Sequence, residues 1–93
     1  MTPLEQLFYL IDEYRANRYS TEDFEYYFST IYCHELYSDT LESKTKDYFK
    51  SIILLLSRYS RYEEDLKNFK DFFIDETTFR DKFNKLVIEY ETK

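Results

Sequence analysis

The chain has 93 residues, among them 11 tyrosines and 9 phenylalanines but no glycine, and its 19 acidic residues outnumber 13 basic ones for a net charge of −6. The absence of glycine excludes the phosphate-binding loops and nucleophile elbows that depend on it, because only glycine lets the backbone approach that closely at low cost. Nucleic-acid binding needs a basic surface, so the acidic balance argues against it.

The first two predicted helices begin at recognisable N-caps. Thr2 and Glu5 have the spacing of a capping box around Pro3, and the helix that follows should end near residues 17–18. Ser20 should cap the second helix. The apolar stripes expected to form the core are Leu4, Leu7, Phe8, Ile11 and Tyr14 in the first helix, and Phe24, Tyr27, Phe28, Ile31 and Tyr32 in the second.

A third helix should be capped by Asp39 or Thr40 and reach Tyr59. It is apolar nearly all round, and such a helix is usually central and covered on several sides. The inner face is predicted to consist of Tyr48, Phe49, Ile52, Leu55, Leu56 and Tyr59, with Ile53 and Leu54 extending the apolar surface.

A fourth helix should begin after Asp75, which is expected to cap it, with Phe79, Phe83, Leu86, Val87 and Tyr90 on its apolar face. Residues 60–74 form an acidic connector that should hold no more than one short helical turn around Leu66 and Phe69, and connectors of this length are often functional. The predicted fold is all-α, a compact antiparallel four-helix bundle with this long acidic connector between the third and fourth helices. We expect one domain, residues 1–93.

The residues offer no arrangement suited to catalysis or metal binding. His34 is the only histidine and adjoins Cys33, and neighbouring helical positions diverge by about 100°, so the two side chains do not meet as nucleophile and base. The run Glu63–Asp65 lacks the alternating ligands and the central glycine of a calcium loop. We therefore expect a protein that is not an enzyme and that uses no cofactor and no metal.

The expected location is the cytoplasm. A lone cysteine cannot form an internal disulfide, which favours a reducing compartment. The opening residues lack the basic and then apolar order of a signal peptide, and the longest apolar run, residues 52–56, is too short to cross a bilayer.

The tyrosines and acids together favour a protein-contact surface. Eleven tyrosines exceed what one small core can hide, because each buried hydroxyl needs a partner. Tyrosine anchors and carboxylates that pair with lysine or arginine suit a basic protein partner, and Tyr62 falls in the acidic connector. Two alternatives stay open at this point: rings that cover the edges of the core, and acidity that only keeps the chain soluble.

From Leu56 onward the order of residues is specific. Ser57 to Ser60 is followed by Glu63 to Leu66, and then by Phe72 to Glu76 leading into Phe79 and Arg80. This order resembles the small immunity proteins of the colicin D type, including relatives that accompany contact-dependent growth inhibition toxins. In those proteins an arginine–aromatic pair ends the third helix, an acidic connector follows, and an aromatic–Ile–Asp/Glu segment opens the last helix.

The resemblance implies a bacterial immunity protein that binds a cognate toxin, commonly a nuclease that cuts transfer RNA. Acidic side chains would stand in for substrate phosphates and cover the toxin's basic active site. Carried onto this chain, the matching positions are Glu63, Glu64, Asp65, Asp71 and Asp75. Tyr62 is added from its place in the connector, and charge alone adds a second patch at Glu22, Asp23 and Glu25. We expect no direct nucleic-acid or membrane contact, and a monomer or weak dimer when free.

Two other classes of function compete with this one. An acidic DNA mimic or phage-type inhibitor of a nucleic-acid-binding protein would carry evenly spaced negative charge along a long face, whereas the third and fourth predicted helices are near neutral. A structural subunit of a larger complex would leave a contiguous apolar patch uncovered.

Overall fold

The computed structural model describes residues 1–34 and 41–92, and these residues are mostly helical. The helices are α1 (Pro3–Arg15), α2 (Thr21–His34), α3 (Ser43–Arg58), α4 (Glu63–Asn68) and α5 (Glu76–Thr92). Within these two ranges there is no strand, only one isolated parallel bridge between Tyr59 and Ile74. The predicted all-α class is therefore confirmed. The short turn expected in the connector is a helix of its own, α4.

The chain divides into two compact units, Met1–Leu41 and Glu42–Lys93. In the first unit α1 packs against α2, and in the second α3 packs against α5. The single domain expected from the sequence stays a prediction.

The predicted N-caps of the first unit are present. The Thr2 hydroxyl accepts the backbone N–H of Glu5 at 3.2 Å, and the Glu5 carboxylate accepts the backbone N–H of Thr2 at 3.1 Å, which completes the capping box. Ser20 precedes α2, and its hydroxyl accepts the backbone N–H of Asp23 at 3.1 Å. Both helices thus begin where these short-range hydrogen bonds satisfy their first free N–H groups.

An asparagine ends α1. Asn17 has a φ of 61°, in the left-handed region, and its N–H donates to the Tyr14 carbonyl at 3.0 Å. The next N–H, from Arg18, donates to the Glu13 carbonyl at 2.9 Å. These two bonds make a Schellman motif, in which the left-handed position is usually glycine and sometimes asparagine. A chain without glycine therefore closes this helix with the residue that tolerates the left-handed region next best.

The core of the first unit forms where the end of α1 meets the start of α2. The Tyr14 ring stacks on Phe24 with centroids 4.5 Å apart, and the Tyr14 hydroxyl shares a buried 2.8 Å hydrogen bond with the Thr21 hydroxyl. Two stripe assignments differ from the structure. Leu10 is buried although it was not predicted, and Tyr27 is 46% exposed, with its ring centroid 5.8 Å from that of Tyr19.

Contacts between α3 and α5 run antiparallel in the second unit. At the start of α3, the Thr45 hydroxyl lies 2.8 Å from the hydroxyl of Tyr90 near the end of α5, and the Tyr48 ring stacks on Tyr90 with centroids 4.0 Å apart. At the opposite end, Tyr59 contacts Phe79 with ring centroids 5.7 Å apart. The buried side chains of this core are Tyr48, Phe49, Ile52, Leu55, Leu56, Ile74, Phe79, Phe83 and Val87.

Of two predictions for the third helix, one concerns residues outside the described ranges and the other is wrong. The helix begins at Ser43 with Glu42 as N-cap and no side-chain capping bond, whereas Asp39 and Thr40, the predicted caps, lie outside the described residues. Leu54 is 57% exposed, so α3 is not covered all round as its composition suggested. An apolar side chain on a small domain can remain at the surface because there is too little polar surface to cover it.

Candidate protein-binding surface

Backbone hydrogen bonds close the connector at its base. The Ser60 N–H donates to the Ile74 carbonyl at 3.1 Å, and the Ile74 N–H donates to the Arg58 carbonyl at 2.8 Å. The Arg58 Nε adds a bond of 2.8 Å to the carbonyl of Phe72. Residues 60–74 therefore form a loop whose two ends are tied together between α3 and α5.

The Ser60 side chain fixes the first part of this loop through two hydrogen bonds. Its side chain is buried, with 6% of the residue exposed, and its Oγ accepts the Tyr62 N–H at 3.1 Å while donating to Asp65 Oδ2 at 2.8 Å. The two bonds fix the residue before α4 and the first turn of α4. Asp65, predicted as a partner contact, is half-buried and uses one carboxylate oxygen to hold the loop.

The remaining predicted acids of the connector are exposed. Glu63 and Glu64 occupy the first turn of α4 and border a shallow groove with Leu66 and Lys67. Asp71 follows α4 and is exposed as well. Carboxylates at the start of a helix also interact favourably with its dipole, so this placement does not strain the fold.

Asp75 is exposed and has a structural role. Its Oδ1 accepts the Thr78 N–H at 2.9 Å, as expected for the N-cap of α5. Hydrogen bonding from Thr78 stabilises the ionised carboxylate and lowers the pKa of Asp75 below its ordinary value. The predicted cap is confirmed, and this carboxylate has one oxygen engaged before any partner arrives.

Three large aromatic side chains of the connector lie at the surface. Tyr62 is 60% exposed, Phe69 59% and Phe72 50%. The two phenylalanines meet the half-buried Phe73 edge-on, with centroids 6.2 Å (Phe69) and 4.9 Å (Phe72) from its ring. We define the connector surface as the exposed residues Tyr62, Glu63, Glu64, Phe69, Asp71 and Phe72.

Sequence reasoning selected Tyr62 as a contact residue and missed Phe69 and Phe72. A helical stripe did not mark them, because α4 spans six residues and ends before both. The available signal was their position: large apolar side chains in a segment too short and too acidic to bury all of them, which is typical of a contact surface.

Guanidinium groups of the chain lie over two of the exposed rings. The Arg61 Cζ lies 5.2 Å from the centroid of the Tyr62 ring, and one Arg61 nitrogen donates to the Tyr62 hydroxyl at 3.3 Å. The Arg58 Cζ lies 5.9 Å from the Phe72 ring. Both distances are within the range of a cation–π interaction.

The second predicted patch occupies the first turns of α2. Asp23 is exposed, whereas Glu22 and Glu25 are half-buried. Burial, and after it the charge of Glu22, raises the pKa of the Glu25 carboxyl. Tyr26, next to Glu25 in the chain, is 68% exposed. This group of acids belongs to the first unit and the connector surface to the second.

Residues 1–34 and 41–92 contain neither a metal-binding cluster nor a helix able to span a membrane. No group of three or more histidine, cysteine, aspartate or glutamate side chains is placed to hold a metal ion. None of the helices in these ranges has both the length and the apolar character needed to cross a bilayer. Cys33 and His34 are both exposed at the end of α2.

No protein-family model, curated protein or solved structure matches this chain. The resemblance to colicin D-type immunity proteins therefore stays a prediction. What the connector surface can do follows from its own chemistry: it offers carboxylates and aromatic rings, and neither a nucleophile–base pair nor a metal-ligand set, on a loop that is fixed at its base.

Proposed function

We propose that this chain is an immunity protein, which binds a bacterial toxin domain and neutralises it by placing the connector surface over a basic active site. The toxin is proposed to be a nuclease that cuts transfer RNA. The observation that supports this most directly is the exposure of acids and aromatics together on one closed loop. In this proposal the protein acts in the cytoplasm, is not an enzyme, and needs no cofactor.

The chemistry of a nuclease active site suits such a surface. A site that binds phosphates is lined by lysine and arginine, and carboxylates can replace phosphates as their hydrogen-bonding partners. Glu63, Glu64 and Asp71 can pair with lysine and arginine of a basic partner, and the net charge of −6 of the whole chain would accelerate encounter with it. The exposed rings supply the apolar anchors that dominate the energetics of many interfaces.

The closed base of the loop supports affinity as well. A flexible segment loses conformational freedom when it binds, and this loss weakens the complex. Here Ser60, Asp65 and Asp75 hold the loop and the start of α5 before a partner arrives. We therefore assign these three residues to the framework of the surface, and Glu63, Glu64 and Asp71 to the contact itself.

The antiparallel four-helix bundle predicted from the sequence belongs to the same proposal, as the scaffold that carries the connector, and so does a monomeric or weakly dimeric free state. Long-range nuclear Overhauser effects between the helices would test the bundle. Sedimentation equilibrium would test the oligomeric state.

Neither competing class gains support from the second unit. A DNA mimic needs negative charge along an extended face, whereas α3 carries four basic residues and one acid. Two of the exposed rings adjoin an acid, Tyr62 beside Glu63 and Phe72 beside Asp71, which fits contact with a basic protein better than the purely apolar patch of a permanent subunit interface.

The test is protection against the toxin domain encoded beside this chain. We expect co-expression of the unmodified chain to restore growth, and the purified chain to block cleavage of transfer RNA. In a variant with Glu63→Lys, Glu64→Lys and Asp71→Lys, like charges would face the basic site, which typically costs several kcal/mol of binding free energy. The thermal midpoint should change little, because each surface substitution usually shifts stability by no more than about 0.5 kcal/mol.

A matched control has the same change of charge elsewhere. Asp12, Asp81 and Glu89 are exposed and lie outside both acidic patches, so their replacement by lysine should leave protection intact. A folded connector variant that still protects would move the proposed interface to Glu22, Asp23 and Glu25. The absence of a toxin gene beside this one, or no protection by the unmodified chain, would refute the proposed function.

A further inference from the structure

We infer that the connector surface selects arginine over lysine side chains of its partner, and that Arg61 occupies the place of one partner arginine in the free protein. The inference rests on the proposed function, because it specifies the chemistry of the basic partner. It names the side chain that the exposed rings and carboxylates recognise.

The first observation is that guanidinium groups already bind at this surface. Over Tyr62 the guanidinium of Arg61 combines a ring contact at 5.2 Å with a hydrogen bond of 3.3 Å to the ring's own hydroxyl. Beside Phe72 the guanidinium of Arg58 combines a ring contact at 5.9 Å with a hydrogen bond of 2.8 Å to the Phe72 carbonyl. In both places a flat cation lies near a ring while one of its N–H groups reaches an oxygen.

The second observation is that a carboxylate adjoins two of the three exposed rings along the chain. Glu63 directly follows Tyr62, and Asp71 directly precedes Phe72. A guanidinium can stack on a ring and donate sideways to a carboxylate at the same time, because its five N–H groups lie in the plane of the stack. An ammonium is compact and more strongly hydrated, so it loses more when it leaves water to approach a ring. A ring that adjoins a carboxylate should therefore bind an arginine side chain more tightly than a lysine side chain.

The two internal arginines differ in how easily they can be displaced. Arg58 is half-buried, and its bond to the Phe72 carbonyl is part of the frame of the loop. Arg61 is exposed, and its contact with Tyr62 joins neighbouring residues at the surface. Displacement of the Arg61 guanidinium from Tyr62 breaks none of the backbone hydrogen bonds that close the base of the loop. Until then Arg61 covers one face of Tyr62 and adds a positive charge that repels a basic partner.

The experiment uses two synthetic peptides of equal length and charge, one alternating glycine with arginine and the other alternating glycine with lysine. Each is titrated into the full chain and followed by nuclear magnetic resonance, with the signals of Tyr62, Phe69 and Phe72 as the local readout. We expect the arginine peptide to bind about two- to fivefold more tightly, in the range of cation–π contributions at exposed sites. Replacing Tyr62→Leu and Phe72→Leu, the two rings that guanidinium groups contact, should abolish that preference while the acids remain.

Removal of the internal competitor gives a second test. Arg61→Gln should tighten binding of the arginine peptide more than Lys70→Gln does, because both variants lose one positive charge of the connector and only the first uncovers a ring. Lys70 is exposed and serves as the matched control. Equal effects of the two substitutions would overturn the assignment of Arg61 as an internal competitor.

The outcomes separate this inference from the proposed function. Equal binding of the two peptides, or binding of neither, would overturn the selection of arginine. The proposed function would then be judged by the growth assay alone, since a toxin site rich in lysine could still be covered. Loss of protection in the growth assay together with a persistent arginine preference would refute the immunity function and leave the recognition of arginine standing.

Discussion

Replacement of Ser60 by alanine should loosen the connector without altering the helices that carry it. The backbone N–H of Ser60 would still donate to the Ile74 carbonyl, so the base of the loop would remain closed. Only the two bonds of the hydroxyl are lost, one from the Tyr62 N–H at 3.1 Å and one to Asp65 at 2.8 Å. The substitution thus isolates the contribution of a single oxygen atom to the order of the loop.

The expected loss of stability in Ser60→Ala follows from the type of each of the two hydrogen bonds. A neutral hydrogen bond contributes about 1 kcal/mol, and one to an ionised group about 1.5–3 kcal/mol. Asp65 is only half-buried and Tyr62 is exposed, so water replaces part of what is lost. We therefore expect a decrease of about 1–2 kcal/mol in the free energy of unfolding. For a domain of this size, each kcal/mol corresponds to about 4–8 °C in the thermal midpoint.

Urea unfolding and amide hydrogen exchange would measure the effect. The Tyr62 amide should exchange faster in Ser60→Ala, because its acceptor is gone. Ser57→Ala is the control: Ser57 is exposed, and its hydroxyl donates only to the Leu54 carbonyl within α3. A double-mutant cycle with Asp65→Ala should give a coupling of about 1 kcal/mol. If Ser60→Ala lowers the free energy of unfolding by less than about 0.3 kcal/mol and the Tyr62 amide exchanges as before, the reasoning is refuted.

Two further predictions concern the first unit. Asn17→Ala should lower stability by about 1–2 kcal/mol, because alanine in the left-handed region is strained, whereas Asn17→Gly should not; thermal unfolding of both variants decides this. The pKa of Glu25 is raised, so the folded state binds a proton at this carboxyl more tightly than the unfolded state does. The free energy of unfolding should therefore fall as the pH rises from the ordinary glutamate pKa through the raised one. Glu25→Gln should thus raise the thermal midpoint at about pH 7 and have little effect below about pH 4, where both states are protonated. The control is Asp23→Asn, on the same turn of α2, which should not raise the thermal midpoint at either pH.

The sequence predicted best those features that depend on neighbouring residues. The caps at Thr2, Ser20 and Asp75 are bonds between residues three apart, so the pattern of residue types is enough to locate them. The apolar stripes located most of the core because helical periodicity also depends only on residues close together in the chain. Tyr27 and Leu54 escaped this reasoning because helical periodicity identifies an apolar face but not how far the neighbouring helix covers it.

The connector was predicted as an acidic contact segment, but its internal order was not. The bonds that close it join Arg58 and Ser60 to Ile74 through backbone atoms, which leave no trace in the pattern of side chains. The bond from Ser60 to Asp65 changes the role of a predicted contact residue, and it becomes visible only when the loop is folded. The physical reason is common to both cases, because the partners are brought together by the path of the chain.

The bridge between Tyr59 and Ile74 has a consequence for how this protein can diversify. Since backbone atoms make it, it places no requirement on the identity of the side chains between its two ends. The entropic cost of closing a loop also grows only slowly with its length, so insertions between Asp65, which Ser60 holds, and Ile74 add little to that cost. A lineage could therefore exchange this segment for one that fits a different partner while the helices stay the same, and new specificities could arise without a new fold.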